Sequence, residues 1–96
     1  MLTSKQRAKL RGLANTADTI LQVGKGGVNE MLVKQVDDAL TARELIKLRV
    51  LETSPEPVKE IAQQLADATR SQTVQVIGSK FVLYRRNDKK PVIELN

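Results

Sequence analysis

A glycine-rich turn is the part of this chain whose residues and spacing could do chemistry. The sequence Gly24-Lys25-Gly26-Gly27 follows a short apolar run and precedes a helical pattern that begins at Val28. Glycine has no Cβ and lets another molecule approach the main chain closely. The amides of such a turn, with the positive end of the following helix, can hold a phosphate, and Lys25 adds a mobile charge. The pattern predicts a phosphate cradle, while a tight strand-to-helix connection that needs glycine is the alternative explanation.

The motifs of nucleotide-using enzymes are incomplete in this sequence. A P-loop needs Ser or Thr directly after its lysine to hold magnesium, but Gly26 follows Lys25. The dinucleotide fingerprint needs three glycines, and Asn29 stands where the third is required, although Glu44 lies about where a ribose-binding acid would be. The chain has no cysteine and no histidine, which argues against a zinc site and Ser-His-Asp catalysis. We therefore expect no catalytic residue, metal or cofactor, and a small nucleotide-using enzyme is the weaker alternative.

The charge of the chain favours a polyanionic partner. Sixteen Lys and Arg residues stand against eleven Asp and Glu residues, which leaves a net charge of +5. Such a balance is typical of proteins that bind nucleic acid or anionic lipid. No apolar run approaches the roughly 20 residues needed to cross a bilayer, and the first residues lack the apolar centre of a secretory signal. We expect a cytoplasmic protein without a membrane partner.

The first predicted helix is unusually basic. Thr3 or Ser4 can cap it, it runs to about Asn15, and Leu10 and Leu13 are expected to face the core. No acidic residue occurs in the first 17 residues of the chain. The cations on the remaining arc of the helix are Lys5, Arg7, Lys9 and Arg11. A basic exterior with no acid to pair with favours binding of a polyanion, and this helix and the glycine turn could share an edge of the sheet.

The remaining segments predict an α/β fold. Alternating apolar residues and turn signals indicate strands at 19–23, 44–51, 73–77 and 80–86. Two further helices separate the first three of these strands, and a Gly-Ser turn joins the last two as a hairpin. This order predicts one domain, residues 1–96, with a four-stranded mixed sheet. Residues 87–96 are expected to add to an edge or to form a loose tail.

Three further cations could extend a polyanion-binding surface. Lys34 lies well inside the second helix and could reach a phosphate only if the ligand runs along the helix flank. Lys47 and Arg49 alternate with apolar residues and so share one face of a strand. Phe81 and Tyr84 are the only aromatics and would face opposite sides of their strand, which disfavours recognition by stacked bases. A Gly-x-x-Gly turn can instead clamp a sugar-phosphate chain.

Four segments resemble, in order and spacing, the CRM domain (chloroplast RNA splicing and ribosome maturation) in its single-domain bacterial YhbY-like form. They are LTSKQRAKLRGLA, QVGKGGV, ARELIKLRVL and VQVIGSKFVLYRR, and the resemblance runs from Leu2 to about Arg86. The resemblance implies an α-β-α-β-α-β-β two-layer domain similar to the C-terminal domain of translation initiation factor three. Its Gly-x-x-Gly loop falls on the glycine turn, and its basic helix on the first helix. Family members often carry His where this chain has Asn15 and Arg43, so any RNA contact of either His is changed here.

The resemblance implies RNA binding and association with precursors of the large ribosomal subunit. We therefore expect a non-catalytic, monomeric protein whose partner is ribosomal RNA, with ribosomal proteins as further candidate partners. A protein-interaction module on ribosomal particles is the main alternative. The candidate RNA-binding residues are Gly24, Lys25, Gly26, Gly27, Lys5, Arg7, Lys9, Arg11, Lys34, Lys47 and Arg49.

Overall fold

The computed structural model describes residues 2–95 and contains three helices and four strands. The elements are α1 (Ser4–Asn15), β1 (Thr19–Val23), α2 (Glu30–Arg43), β2 (Leu45–Val50), α3 (Val58–Thr69), β3 (Gln72–Ile77) and β4 (Lys80–Tyr84). This order and the α/β class are the ones that the sequence predicts, so both predictions are confirmed.

Local capping signals determine where the first two helices begin. The Thr3 side chain accepts a hydrogen bond from the Gln6 amide at 3.1 Å, and the Gln6 side chain accepts one from the Thr3 amide at 3.0 Å. These two bonds form a capping box, which satisfies amides that have no partner within the helix. Asn29 caps α2 in a related way, because its Oδ1 accepts from the Leu32 amide at 2.9 Å.

The strands form one mixed sheet in the order β1-β2-β4-β3. β1 runs parallel to β2, while β4 is antiparallel to both β2 and β3. The mixed four-stranded sheet is therefore confirmed. β1, which leads into the glycine turn, and β3 lie at opposite edges of the sheet.

Helices cover both faces of the sheet, so the domain has three layers where two were predicted. Phe81 and Leu83 of β4 belong to the core that α2 and α3 form on one face. Val82 and Tyr84, which point the other way from the same strand, pack in a second core with α1. All four side chains are buried, so β4 is apolar on both sides and each side needs a cover.

The buried stripe of α1 differs from the predicted one at one position. Leu10 is fully buried as predicted, but Leu13 is 41% exposed and Ala14 takes the second core position. Leu10 and Ala14 are four residues apart and therefore lie one above the other on the helix face that meets the sheet.

Residues 87–95, the described part of the C-terminal segment, add no strand but are anchored to the domain by a buried carboxylate. Glu44 is fully buried, and it accepts hydrogen bonds from the amides of Asn87, Val92 and Ile93 at 2.6, 2.7 and 2.6 Å. Burial alone would raise the pKa of Glu44, but these amide bonds outweigh it and hold the pKa below its ordinary value. Ile93 and Leu95 pack against the core beneath α1. The segment therefore completes the layer that contains α1.

Candidate nucleic-acid interface

The glycine turn lies at the carboxyl end of β1 and exposes its tip. The Leu51 amide donates to the Val23 carbonyl at 2.8 Å, which ties this end of β1 to the segment after β2. The turn is closed by a 3.0 Å bond from the Gly27 amide to the Gly24 carbonyl. Within residues 2–95, no group accepts a hydrogen bond from the amides of Lys25 and Gly26, the two exposed residues at the tip. These amides are available to an external acceptor.

Gly27 is required by the fold itself. Its φ is +61°, a left-handed conformation that favours glycine, and the residue is buried. A Cβ at this position would lie 3.1 Å from Cγ of Pro55, which is closer than ordinary van der Waals contact. The explanation that the connection simply needs glycine therefore holds at Gly27. At Gly26 a Cβ would instead lie 3.3 Å from Nδ2 of Asn29, the residue that caps α2.

Lys34 lies beside a groove that begins next to the turn. Val28, Asn29 and Lys34 line this groove of about 570 Å³, and Ala68 of α3 closes its far side. Glu30 and Asp37, one turn before and after Lys34 on the helix, also line it. Asp37 is already paired with Arg85, so Glu30 is the acid that lowers the local positive charge and makes Lys34 a weaker contributor to a polyanion site than its position near the turn suggests.

The cations of α1 are divided between intramolecular contacts and solvent. Arg7 Nη1 donates to the Thr73 carbonyl on β3 at 3.0 Å, and Lys9 Nζ donates to the Glu94 carbonyl in the C-terminal segment. Both side chains therefore fasten α1 to its neighbours. Lys5 and Arg11 are exposed.

The glycine turn and α1 do not share a sheet edge as the sequence suggested they could. Arg7 is held at β3, the edge opposite the strand that carries the turn. The strand order explains this separation, because β4 pairs with β2 and β3 therefore forms the edge opposite β1.

One face of the sheet carries all of its charge, and that charge is positive. The four strands contain no acidic residue, and their only charged residues are Lys47, Arg49 and Lys80. Lys47 and Arg49 share one face of β2 as predicted. The structure shows that all three side chains alternate with buried core residues and point to the face that α1 partly covers. Lys47 Nζ donates to the Ala14 carbonyl at the end of α1 at 3.3 Å, which places this cation beside the last turn of the helix.

The part of this face that α1 leaves uncovered forms a continuous surface, the open sheet face. The strand register places Gln22, Arg49, Lys80 and Ile77 side by side in one row across all four strands. The residues of the open sheet face are Gln22, Lys47, Arg49, Gln75, Ile77 and Lys80. The row ends beside the glycine turn, because Gln22 also lines the shallow cavity formed by Gly24, Gly26 and Gly27.

Lys80 is the one cation of this surface that was not predicted from the sequence. Its position directly after the hairpin turn, two residues before the buried Val82, already indicates the face to which it points. The sequence does not indicate that β4 lies next to β2, and this pairing is what brings Lys80 opposite Arg49.

Neither a membrane-spanning helix nor a metal-binding cluster is found in the part of the chain that the structure describes. No helix within residues 2–95 is long and apolar enough to cross a membrane. Nor does any cluster of three or more His, Cys, Asp or Glu residues in this range have an arrangement that could hold a metal ion.

The structure is a small α/β domain with one mixed sheet and helices on both faces. Its exposed glycine turn lies beside the basic open sheet face. A family model described as the CRS1 / YhbY (CRM) domain matches residues 2–85. The chain therefore belongs to the CRS1/YhbY (CRM) domain family.

Several bacterial proteins are similar to this chain over nearly its whole length. "Probable RNA-binding protein YqeI" of Bacillus subtilis is 47% identical over 95 residues, which cover 99% of each chain. A Haemophilus influenzae protein named "RNA-binding protein" is 31% identical and covers 95% of this chain and 92% of its own. The solution structure of SAV1595, a hypothetical protein of Staphylococcus aureus whose RNA binding is itself a hypothesis, is 52% identical with a TM-score of 0.82 over the full length of both chains.

The two positions that the family resemblance singled out lie in different places. Asn15 is the last residue of α1 and lies beside Lys47 and Lys80 at the open sheet face. Arg43 is the last residue of α2 and is exposed. Only the first of these replacements therefore changes the open sheet face.

Proposed function

We propose that this protein binds RNA without catalysis and that the glycine turn grips the sugar-phosphate backbone. The observation that carries the proposal is the exposed tip of the turn, where the amides of Lys25 and Gly26 have no partner within residues 2–95. Two adjacent amides and a lysine side chain can together hold one phosphate. The names of the relatives in Bacillus subtilis and Haemophilus influenzae support RNA as the partner.

The tip of the turn is a better phosphate site than the start of α2 itself. Asn29 already accepts the bond from the Leu32 amide, so one of the free amides of the helix start is used by the protein. The Gly27 amide is likewise used to close the turn. A phosphate would therefore bond to the amides of Lys25 and Gly26, and the helix dipole would add a favourable field behind them.

The RNA that we propose as the partner is ribosomal RNA in the precursor of the large subunit. This part of the proposal rests on the family resemblance, and it implies a cytoplasmic protein that acts as a monomer during ribosome assembly. The net charge of +5 supports association with a particle rich in exposed phosphate.

The salt dependence of RNA binding tests the role of the turn. About five phosphate contacts on a single strand would give a slope of log affinity against log salt near −3.5. Lys25→Ala should weaken binding to every RNA similarly and make the slope shallower by about 0.7. The matched control is Lys89→Ala, because Lys89 is an exposed cation next to Asn87, whose side chain donates to the Thr41 carbonyl near the end of α2 that lies farthest from the turn. Unchanged affinity and slope in a folded Lys25→Ala variant would overturn the proposed role of the turn.

A second candidate function is a protein contact on ribosomal particles, and Met31 favours it. This side chain lies beside the glycine turn and is 73% exposed. Sedimentation with precursors of the large subunit separates the two functions. If the protein binds RNA on these particles, purified ribosomal RNA competes for it; if it binds a ribosomal protein through Met31, the RNA does not compete and Met31→Ala weakens co-sedimentation.

A further inference from the structure

We propose that the open sheet face binds single-stranded RNA next to the glycine turn and accepts one unstacked base in a pocket at the end of α1. The inference rests on the proposed function and adds to it a surface and a kind of contact. The backbone grip of the turn does not distinguish bases, whereas a pocket for a base does.

The charges on this face are arranged as a site for a polyanion. Arg49 and Lys80 are direct register partners on neighbouring strands, and Lys47 lies two residues before Arg49 on the same face. Like charges directly opposite each other in a sheet are destabilising. Within residues 2–95 the salt bridges are Arg85 to Asp37 and Arg86 to Asp88, so no acid relieves this repulsion. Phosphate groups laid across the row would do so.

A small pocket lies beside these cations where α1 ends. It has a volume of about 230 Å³ and is lined by Asn15, Lys47, Gln75, Ile77, Lys80, Phe81 and Val82. Sites for drug-sized ligands are typically about 300 to 1,000 Å³, so this pocket suits a smaller, flat group. A single nucleobase is a ligand of that shape that arrives attached to a phosphate chain.

The walls of the pocket offer both apolar contact and hydrogen bonds. Ile77 is 60% exposed and provides an apolar surface against which a base can lie. The side-chain amides of Asn15 and Gln75 make no hydrogen bond to any group within residues 2–95. Each amide has a donor and an acceptor, so together they can pair with the edge of a base.

These features favour a single strand over a duplex. A base can enter the pocket only when it is unstacked and unpaired, as in loops and single strands. Gln22 lines the cavity of the glycine turn and also stands beside Arg49 in the row. A strand whose phosphate is held at the turn can therefore continue over Gln22 and Arg49 toward the pocket.

The experiment measures affinity and salt slope for short uridine, cytidine and adenosine homopolymers and for a duplex of the same length. Lys80→Ala tests the charges and should make the slope shallower by about 0.7 for every single strand. Gln75→Leu tests the pocket and should leave the slope unchanged while the ratio between the best-bound and worst-bound homopolymer falls by roughly 3- to 10-fold, the loss of one hydrogen bond. Lys59→Ala is the control, because Lys59 is an exposed cation on α3, which covers the opposite face of the sheet. Thermal unfolding checks that each variant is folded.

Gln75→Glu provides a second test of the pocket if Gln75→Leu does not fold. Gln75→Glu is nearly isosteric and should weaken binding to all single strands, because its charge attracts Lys80 and repels phosphate. The inference is overturned if the duplex binds as tightly as the single strands, or if the Lys80 and Gln75 variants behave like Lys59→Ala while Lys25→Ala still weakens binding. In that last result the proposed function survives, whereas loss of all RNA binding by the unmodified protein would overturn both.

Discussion

Replacing Glu44 with Gln should destabilise the protein strongly, because its buried carboxylate accepts hydrogen bonds from three amides of the C-terminal segment. Its two oxygens accept three amide bonds, two on Oε1 and one on Oε2. In Glu44→Gln the Oε1 bonds become neutral, and an NH₂ group faces the donating amide of Asn87. Hydrogen bonds to a charged group contribute about 1.5–3 kcal/mol each and neutral ones about 0.5–1.5 kcal/mol.

The expected loss is about 2–4 kcal/mol, less than the sum of the three charged bonds, because water can reach the released amides of this exposed segment. For a domain of this size that lowers the melting temperature by roughly 10–20 °C. Denaturant and thermal unfolding measure the loss, and amide hydrogen exchange should quicken at Asn87, Val92 and Ile93. Glu94→Gln is the matched control in the same exposed segment. A Glu44→Gln variant as stable as Glu94→Gln would refute the anchoring role of this carboxylate.

Three further predictions concern stability. Because folding lowers the pKa of Glu44, the carboxylate should contribute fully to stability above its ordinary pKa of 4.5 and lose this contribution as the pH falls below that value. The difference in unfolding free energy between the wild type and Glu44→Gln should therefore shrink at acidic pH. Gly27→Ala should lower the free energy of unfolding by about 1–3 kcal/mol, because Gly27 has a positive φ and a Cβ there would meet Pro55. Gly12→Ala on the exposed face of α1 should raise it by about 0.5–1 kcal/mol, so equal effects in denaturant unfolding would contradict the strain at Gly27. Tyr84→Phe should be neutral or stabilising by about 1 kcal/mol, because the buried hydroxyl has no hydrogen-bond partner among residues 2–95. A clear loss of melting temperature would show that the hydroxyl does have a partner.

The elements of the fold could be predicted because their signals are local. Thr3 and Asn29 mark helix starts within three residues of the amides that they cap. The alternation of Lys47 and Arg49 with buried residues assigns both cations to one face without knowledge of the neighbouring strands. Hydrophobic alternation and caps depend on neighbours in sequence, and so they can be read from one chain.

The contacts that individual charged side chains make could not be predicted, because their partners lie far away in the sequence. Arg7 donates to a carbonyl 66 residues away, and Glu44 anchors amides 43 to 49 residues away. From the sequence, Arg7 reads as one of four equal cations and Glu44 as the start of a strand. Only the strand order shows that the first helix is fixed at β3 and that Lys80, rather than Arg7, lies beside Arg49.

The central claim is that RNA backbone contacts the tip of the glycine turn, and NMR titration of the labelled protein with a short single-stranded RNA tests it most directly. The account predicts that the amide resonances of Lys25 and Gly26 shift together and saturate at one RNA per protein. Resonances on the outer face of α3, such as those of Gln63 and Asp67, should stay in place. Shifts confined to α3, with the turn unaffected at saturation, would contradict the claim.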